Sequence, residues 1–184
     1  MSAQASVHAA LGARYTSTLV HDSIVNPLDV RADLAPALTV ALDLPLDGPW
    51  KLEVLADVAT SPVRRHDASG ATTSITRVWT VGVGLGLRRR LESWLEGRAA
   101  VGGLKYLPTE SIGLFGDGGG NVIPYGSLAF DVAHAAAFRR RVGLELTGDV
   151  HRFLTPALRG AGFTDSRFVY RVTLGVRADL WRGR

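Results

Sequence analysis

The 184-residue chain contains no cysteine, so neither disulfides nor thiolate metal sites enter its chemistry. No apolar run reaches the roughly 18 residues of a membrane-crossing helix. That absence excludes helical spans only, because a chain alternating lipid-facing and lumen-facing residues hides its hydrophobicity from a window average. No two histidines share a ligand spacing, and neither a metal nor any other cofactor is expected. Basic residues are not interleaved with aromatics on one face, which argues against a nucleic-acid groove. Much of the formal charge of +4 comes from short runs: Arg88-Arg89-Arg90, Arg139-Arg140-Arg141 and Arg182-Gly183-Arg184. These runs read as turns or headgroup-level positions. The start, Met1-Ser2-Ala3-Gln4-Ala5, has neither a charged n-region nor an apolar h-region. It reads as a cytoplasmic start or as a mature form with an added Met.

What is present is alternation with a period of two, the mark of half-buried strands. In 30–44 the even positions run Val30, Ala32, Leu34, Pro36, Leu38, Val40, Leu42, Leu44. The odd positions hold Arg31, Asp33, Thr39 and Asp43 among alanines. The pattern recurs in 7–19, 50–60, 75–87, 94–107, 122–134, 142–154 and 168–180. A bulge is expected near Gly102-Gly103. Segments of this length match tilted strands crossing a bilayer, which need about 9–11 residues in the hydrocarbon. Connections 45–49, 88–93 and 135–141 are short, whereas 20–29, 61–74, 108–121 and 155–167 are long. The expectation is one all-β domain over 1–184, an eight-stranded antiparallel up-and-down transmembrane β-barrel. Its short turns and termini lie at one rim and four longer loops at the other.

The polar face mixes charges with many Ala and Gly, as a narrow eight-strand lumen requires. It is therefore expected inside, with Arg14, Arg31, Asp33, Lys51, Glu53, Asp57, Glu96, Arg98, Asp131, Glu145, Asp149, Arg171 and Arg177 forming a lumen charge network. Inside a barrel such charges must neutralise one another, since an unpaired buried charge costs several kcal/mol. Trp50, Tyr15, Trp79, Phe168 and Tyr170 fall toward strand ends on the apolar face, where interfacial girdles lie. The opposite orientation, apolar face inward, would make a soluble lipocalin-like carrier of apolar ligands.

The last strand, Thr173-Leu174-Gly175-Val176-Arg177-Ala178-Asp179-Leu180, is similar to the terminal signal read by the barrel-assembly machinery, although Trp181-Arg182-Gly183-Arg184 follows where that family usually stops on an aromatic. With eight strands over nearly the whole chain, the sequence resembles the small OmpA/OmpX-type barrels. That resemblance implies a bacterial outer-membrane location and the assembly machinery as a partner during insertion. It also implies a monomer, or one subunit of a larger envelope assembly.

A non-enzymatic scaffold or surface-interaction protein with a side-chain-plugged lumen is the leading expectation. Barrels of this class that are enzymes act on lipid A, and His21 with Ser23 is the one candidate pair for such chemistry. The same residues also read as a polar turn. The segment 116–121 lacks the Lys-Ser/Thr of a phosphate loop and the acidic ladder of a calcium loop. On the apolar face, Arg77, Lys105 and Arg152 fall at the long-loop end, with Arg77 and Lys105 near-opposite across a hairpin turning at about residue 91. They are candidate contacts for lipid headgroups, lipopolysaccharide phosphates above all, or they simply snorkel to the interface.

Overall fold

The computed structural model describes residues 4–22, 28–133, 142–162 and 167–182. Eight strands close a ring: β1 (Ser6–Thr16), β4 (Ala35–Pro45), β5 (Trp50–Asp67), β6 (Thr72–Arg90), β7 (Leu95–Pro108), β8 (Ile123–Ala133), β9 (Val142–Phe153) and β10 (Arg167–Arg182). Every neighbouring pair is antiparallel, and β1 meets both β4 and β10, so the sheet keeps no open seam. Two further strands, β2 (Val20–Asp22) and β3 (Leu28–Ala32), join the sheet beside the upper part of β5. A 3-10 turn at Gly113–Phe115 and a short helix α1 (Pro156–Gly160) lie in the connections. No described helix is long and apolar enough to cross a membrane.

The register sets the tilt. From Ser6 the partners run Asp43, Glu53, Gly86, Ala100, Ser127, Asp149 and Arg171, and the path returns to β1 at Thr16, ten residues on. Ten residues at ~3.3 Å against eight strand spacings of ~4.8 Å tilt the strands by roughly 40°. Each residue then climbs about 2.5 Å along the barrel axis, which allows heights to be compared between strands.

Glycine makes the closure possible at two opposite seams. A Cβ on Gly12 would lie 2.1 Å from the Leu174 carbonyl oxygen across the β1–β10 seam. One on Gly102 would lie 2.1 Å from the Val83 carbonyl oxygen across β6–β7. Only a residue without Cβ tolerates backbones this close.

The charged, small-residue face points inward and the aliphatic face outward. His8, Asp43, Glu53, Arg88 and Arg171 are buried, whereas Leu11, Val83, Val101, Leu128, Leu144 and Leu174 stand exposed. An apolar surface running right around a barrel is a membrane surface, because water-facing patches of that extent are not stable in a soluble monomer. This is the reverse of a soluble carrier. Trp50 and Trp181 stand exposed at the short-turn end, and Tyr15, Trp79, Phe168 and Tyr170 toward the long-loop end. The two girdles are separated by roughly 25 Å along the axis, the height of a lipid-facing band.

Four expectations change. First, 30–44 is two strands, not one. Partners Ala32↔Val63 and Ala37↔Ala59 on β5 differ by one in register, so a bulge lies at 33–34. A one-residue slip turns every side chain beyond it to the other face. Val30 is therefore buried, while Arg31 is exposed and Asp33 only part-buried; neither of the two polar residues belongs to the lumen. Second, 61–74 is largely strand: β5 and β6 run on past the barrel and turn at 68–71. Third, β6 and β7 pair without a shift from Val78↔Pro108 to Arg90↔Glu96, so no bulge occurs at Gly102-Gly103. Fourth, Arg88 is not in a turn; it ends the inward row of β6. Connection 135–141 and the run Arg139–Arg141 lie outside the described residues.

Candidate functional site

The lumen is filled in three layers. The lowest surrounds Arg88, whose neighbours Leu87 and Arg89 face outward while its own side chain is wholly buried. Its Nε donates to Glu53 at 2.7 Å, its Nη1 is paired with Asp131, and its Nη2 donates to His8 Nε2 at 3.3 Å. Asp43 stands 3.6 Å away. Arg98 donates to the other Glu53 oxygen at 2.7 Å and to Thr147, which in turn donates to Glu145. Toward the short-turn rim, Lys51 lies 3.5 Å from both Asp43 and Glu96, and Arg177 lies 3.6 Å from Glu96 and 3.7 Å from Asp131.

His8, Asp43 and Glu53 come close enough for a three-ligand metal set. The Arg88 guanidinium already stands between them as their cation, and both Glu53 oxygens are taken by arginines. The donor set fits a guanidinium better than a metal ion.

The middle layer lies roughly 10–15 Å higher along the axis. Arg14 Nη1 donates to Asp57 at 2.6 Å and its Nε to Thr173 at 2.9 Å. Arg171 Nε donates to Asp149 at 2.7 Å. Asp57 fits because Gly82 opposes it; a Cβ there would lie 2.2 Å from the carboxylate. Above, the buried Tyr106 hydroxyl and His151 Nε2 share a hydrogen bond of 2.7 Å.

The third layer is an apolar cap. Leu19, Val30, Val63, Phe115, Phe153 and Leu158 pack with Tyr106 in one buried cluster. The Phe115 and Phe153 rings meet edge-on with centroids 6.1 Å apart. The Thr155 hydroxyl caps α1 at Leu158 and donates to the Leu114 carbonyl, which ties the two loop elements together. Between cap and middle layer, a void of about 10 Å³ beside Arg14 and Tyr106 has room for about one water.

Of the residues assigned to the lumen by alternation, Arg14, Lys51, Glu53, Asp57, Glu96, Arg98, Asp131, Glu145, Asp149, Arg171 and Arg177 lie in these ionic layers. Arg31 and Asp33 are outside, paired with Asp29 and Arg64 respectively. Alternation misses Arg88 as the centre, although the inward row Thr76, Thr80, Gly82, Gly84, Gly86 points straight to it.

His21 Nδ1 is 2.6 Å from Asp29 Oδ1 on the β2–β3 hairpin. Ser23 lies outside the described residues, and no described serine is bonded to His21. Arg77, Lys105 and Arg152 all face outward and are exposed. Arg77 and Lys105 are not opposite one another: Lys105 pairs with Val81, and Arg77 accepts from Thr109 through its carbonyl. The hairpin turns at 93, two residues later than its spacing implies. Lys105 and Arg152 share the level of the upper girdle, Arg152 stacked 5.1 Å over the Phe168 ring. Arg77 stands about 7 Å farther out.

No protein-family model matches the chain, and no curated protein matches it. Among solved structures, the outer-membrane protein Ail of Yersinia pestis aligns with a TM-score of 0.50 and 10% identity, over 96% of this chain and 99% of Ail. The outer-membrane protein OprG of Pseudomonas aeruginosa gives 0.47 at 9% identity, over 96% and 93%. A designed transmembrane β-barrel gives 0.46 at 10% identity, over 95% of each chain. At such identities the likeness concerns fold alone. By its closed ring, its apolar outer belt and the likeness to Ail, the chain has the fold of a small eight-stranded outer-membrane β-barrel.

Proposed function

We propose that the protein is a non-conducting, non-enzymatic barrel of the OmpA/OmpX type that works through its outer end, as a scaffold or surface-interaction protein. The observation that carries this reading is the filled lumen. An ion must pass the Arg88 cluster, the Arg14–Asp57 and Arg171–Asp149 pairs, and then the Phe115–Phe153 cap. Eight strands leave an interior just wide enough for side chains. A transport role is thus disfavoured by three separate seals.

At the outer girdle, Lys105 and Arg152 present two cations at one level on strands separated only by β8. They form a contact for outer-leaflet phosphates, with Arg77 reaching above them. Long basic side chains reach such groups while their stems stay in the apolar layer. Insertion through the assembly machinery and a monomeric state in the membrane complete the proposal.

The test is single-channel recording in planar bilayers with purified wild-type protein. No unitary conductance above the bare bilayer is expected at any voltage. Stable ohmic steps would overturn the closed-lumen reading.

A further inference from the structure

The bulge at 33–34 does more than remove two charges from the lumen. It sets Arg31 directly opposite Arg64 on the outer face of a sheet, β3–β5–β6, that projects beyond the barrel. Val30 and Val63, their sequence neighbours, are buried in the cap, so both arginines point away from it. Arg77 lies on the same face of β6, between buried Thr76 and Val78, and its cross-strand partner is Pro62, two residues from Arg64. Three adjacent strands thus carry one guanidinium each across a single surface. Like charges directly opposite destabilise a sheet unless something neutralises them.

Asp29 and Asp33 do so only in part. Asp29 meets Arg31 through Nη2 at 2.5 Å, and Asp33 meets Arg64 through Nε at 2.8 Å. Each guanidinium has five N–H donors in a fixed fork, so one edge remains open to solvent while the carboxylate fixes its orientation. Hydrogen bonds from His21 and then from Arg31 hold the Asp29 carboxyl below its ordinary range, so it stays ionised in this role. Arg77 has no ion-pair partner among the described residues. The arginines stand roughly 7–9 Å above the upper girdle. At that height a saccharide-bearing outer leaflet presents sugars and their substituents, above the level of Lys105 and Arg152.

We propose that this arginine face binds a phosphate-bearing saccharide of the outer leaflet. Planar forks presented side by side suit phosphate oxygens bidentately, and Arg31, Arg64 and Arg77 are all exposed on one outer face of the sheet. The inference rests on the membrane placement of the barrel, not on the Lys105–Arg152 contact.

The probe is phosphorylated lipopolysaccharide core oligosaccharide freed of its lipid, titrated calorimetrically into the detergent-solubilised full chain. Parallel titrations use the same oligosaccharide after phosphate removal and inorganic phosphate alone. Wild type is expected to bind the phosphorylated oligosaccharide at least about tenfold more tightly than either comparator. The double variant Arg31→Gln/Arg64→Gln should lose at least about tenfold in affinity, and raised salt should weaken binding by wild type. Lys105→Gln should leave it unchanged, which separates this site from the girdle contact. Unheated-gel mobility reports whether each variant folds; if the double variant does not, Arg77→Gln carries the same comparison. No binding by wild type, equal binding of the dephosphorylated sugar, or undiminished binding by the folded variants would overturn the proposal. So would inorganic phosphate alone matching the oligosaccharide.

Discussion

Arg88 Nε donates to Glu53 Oε2 at 2.7 Å with both side chains wholly buried. Because the same guanidinium also holds Asp131 and stands beside Asp43, removing it takes a shared buried cation from three carboxylates at once and leaves them only Arg98, Arg177 and Lys51. Breaking a buried ion pair from one side costs about 3–5 kcal/mol. Arg88→Met should lower stability by that order, read as a shift of the urea unfolding midpoint in micelles. Arg88→Met/Glu53→Gln should cost less than the two single changes added together, because the pair acts as one unit.

Phe115 is fully buried in the cap, above the ionic layers and next to Tyr106. Phe115→Ala should cost about 3 kcal/mol through the cavity it leaves. It should still yield no conductance, because Arg88 and Arg171 lie below. A channel opened by this one substitution would show that the cap alone closes the barrel.

Gly12 and Gly148 are both strand glycines but differ in surroundings. A Cβ at Gly12 meets a carbonyl oxygen, whereas nothing lies within 4 Å of one at Gly148, which faces lipid. Gly12→Val should prevent closure and abolish the mobility shift between heated and unheated protein. Gly148→Val should leave that shift intact.

At the tip of the β5–β6 hairpin, Asp67 accepts hydrogen bonds from Ser69 N at 3.0 Å, Ser69 Oγ at 2.6 Å and Ala71 N at 3.0 Å. These bonds, that of the Ser69 hydroxyl first, lower its pKa. A depressed carboxylate stabilises the turn above its unfolded pKa of about 4 and loses that contribution as pH falls through the folded value. Hydrogen exchange at Ala71 N should therefore stay protected at pH 5 and become less protected only below about pH 4. Asp67→Asn should remove the pH dependence.

The barrel was legible because alternation is a backbone property: side chains on a strand must face opposite ways, and burial sorts them. The same logic extended one step further gives Arg88, whose even position continues the inward row of β6. It is hidden by its place in a triple-arginine run that resembles a turn. Arg31 and Asp33 were misplaced because a bulge inserts one residue without breaking the visible alternation, and only the pairing with β5 reveals it. Ser61 and Pro62 read as loop by composition, yet both continue β5 because β6 supplies Val78 and Arg77 as partners on one side, while Asp33 N donates to the Pro62 carbonyl on the other. The cap was not legible at all. It gathers Leu19, Phe115 and Leu158 from three separate connections, and no local pattern announces contacts so distant in sequence.

The lack of native cysteine makes the orientation directly measurable, since single-cysteine variants carry one spin label each. Labels at Leu128, Leu144 and Leu174, on the exposed apolar face, should show high accessibility to oxygen and low accessibility to a water-soluble nickel chelate in lipid vesicles. A label at Ser127, buried and facing the lumen, should be shielded from both. Chelate reaching Leu128, Leu144 and Leu174 as freely as it reaches the loop residue Ala68 would contradict the account, because the apolar face would then be turned to water and not to lipid.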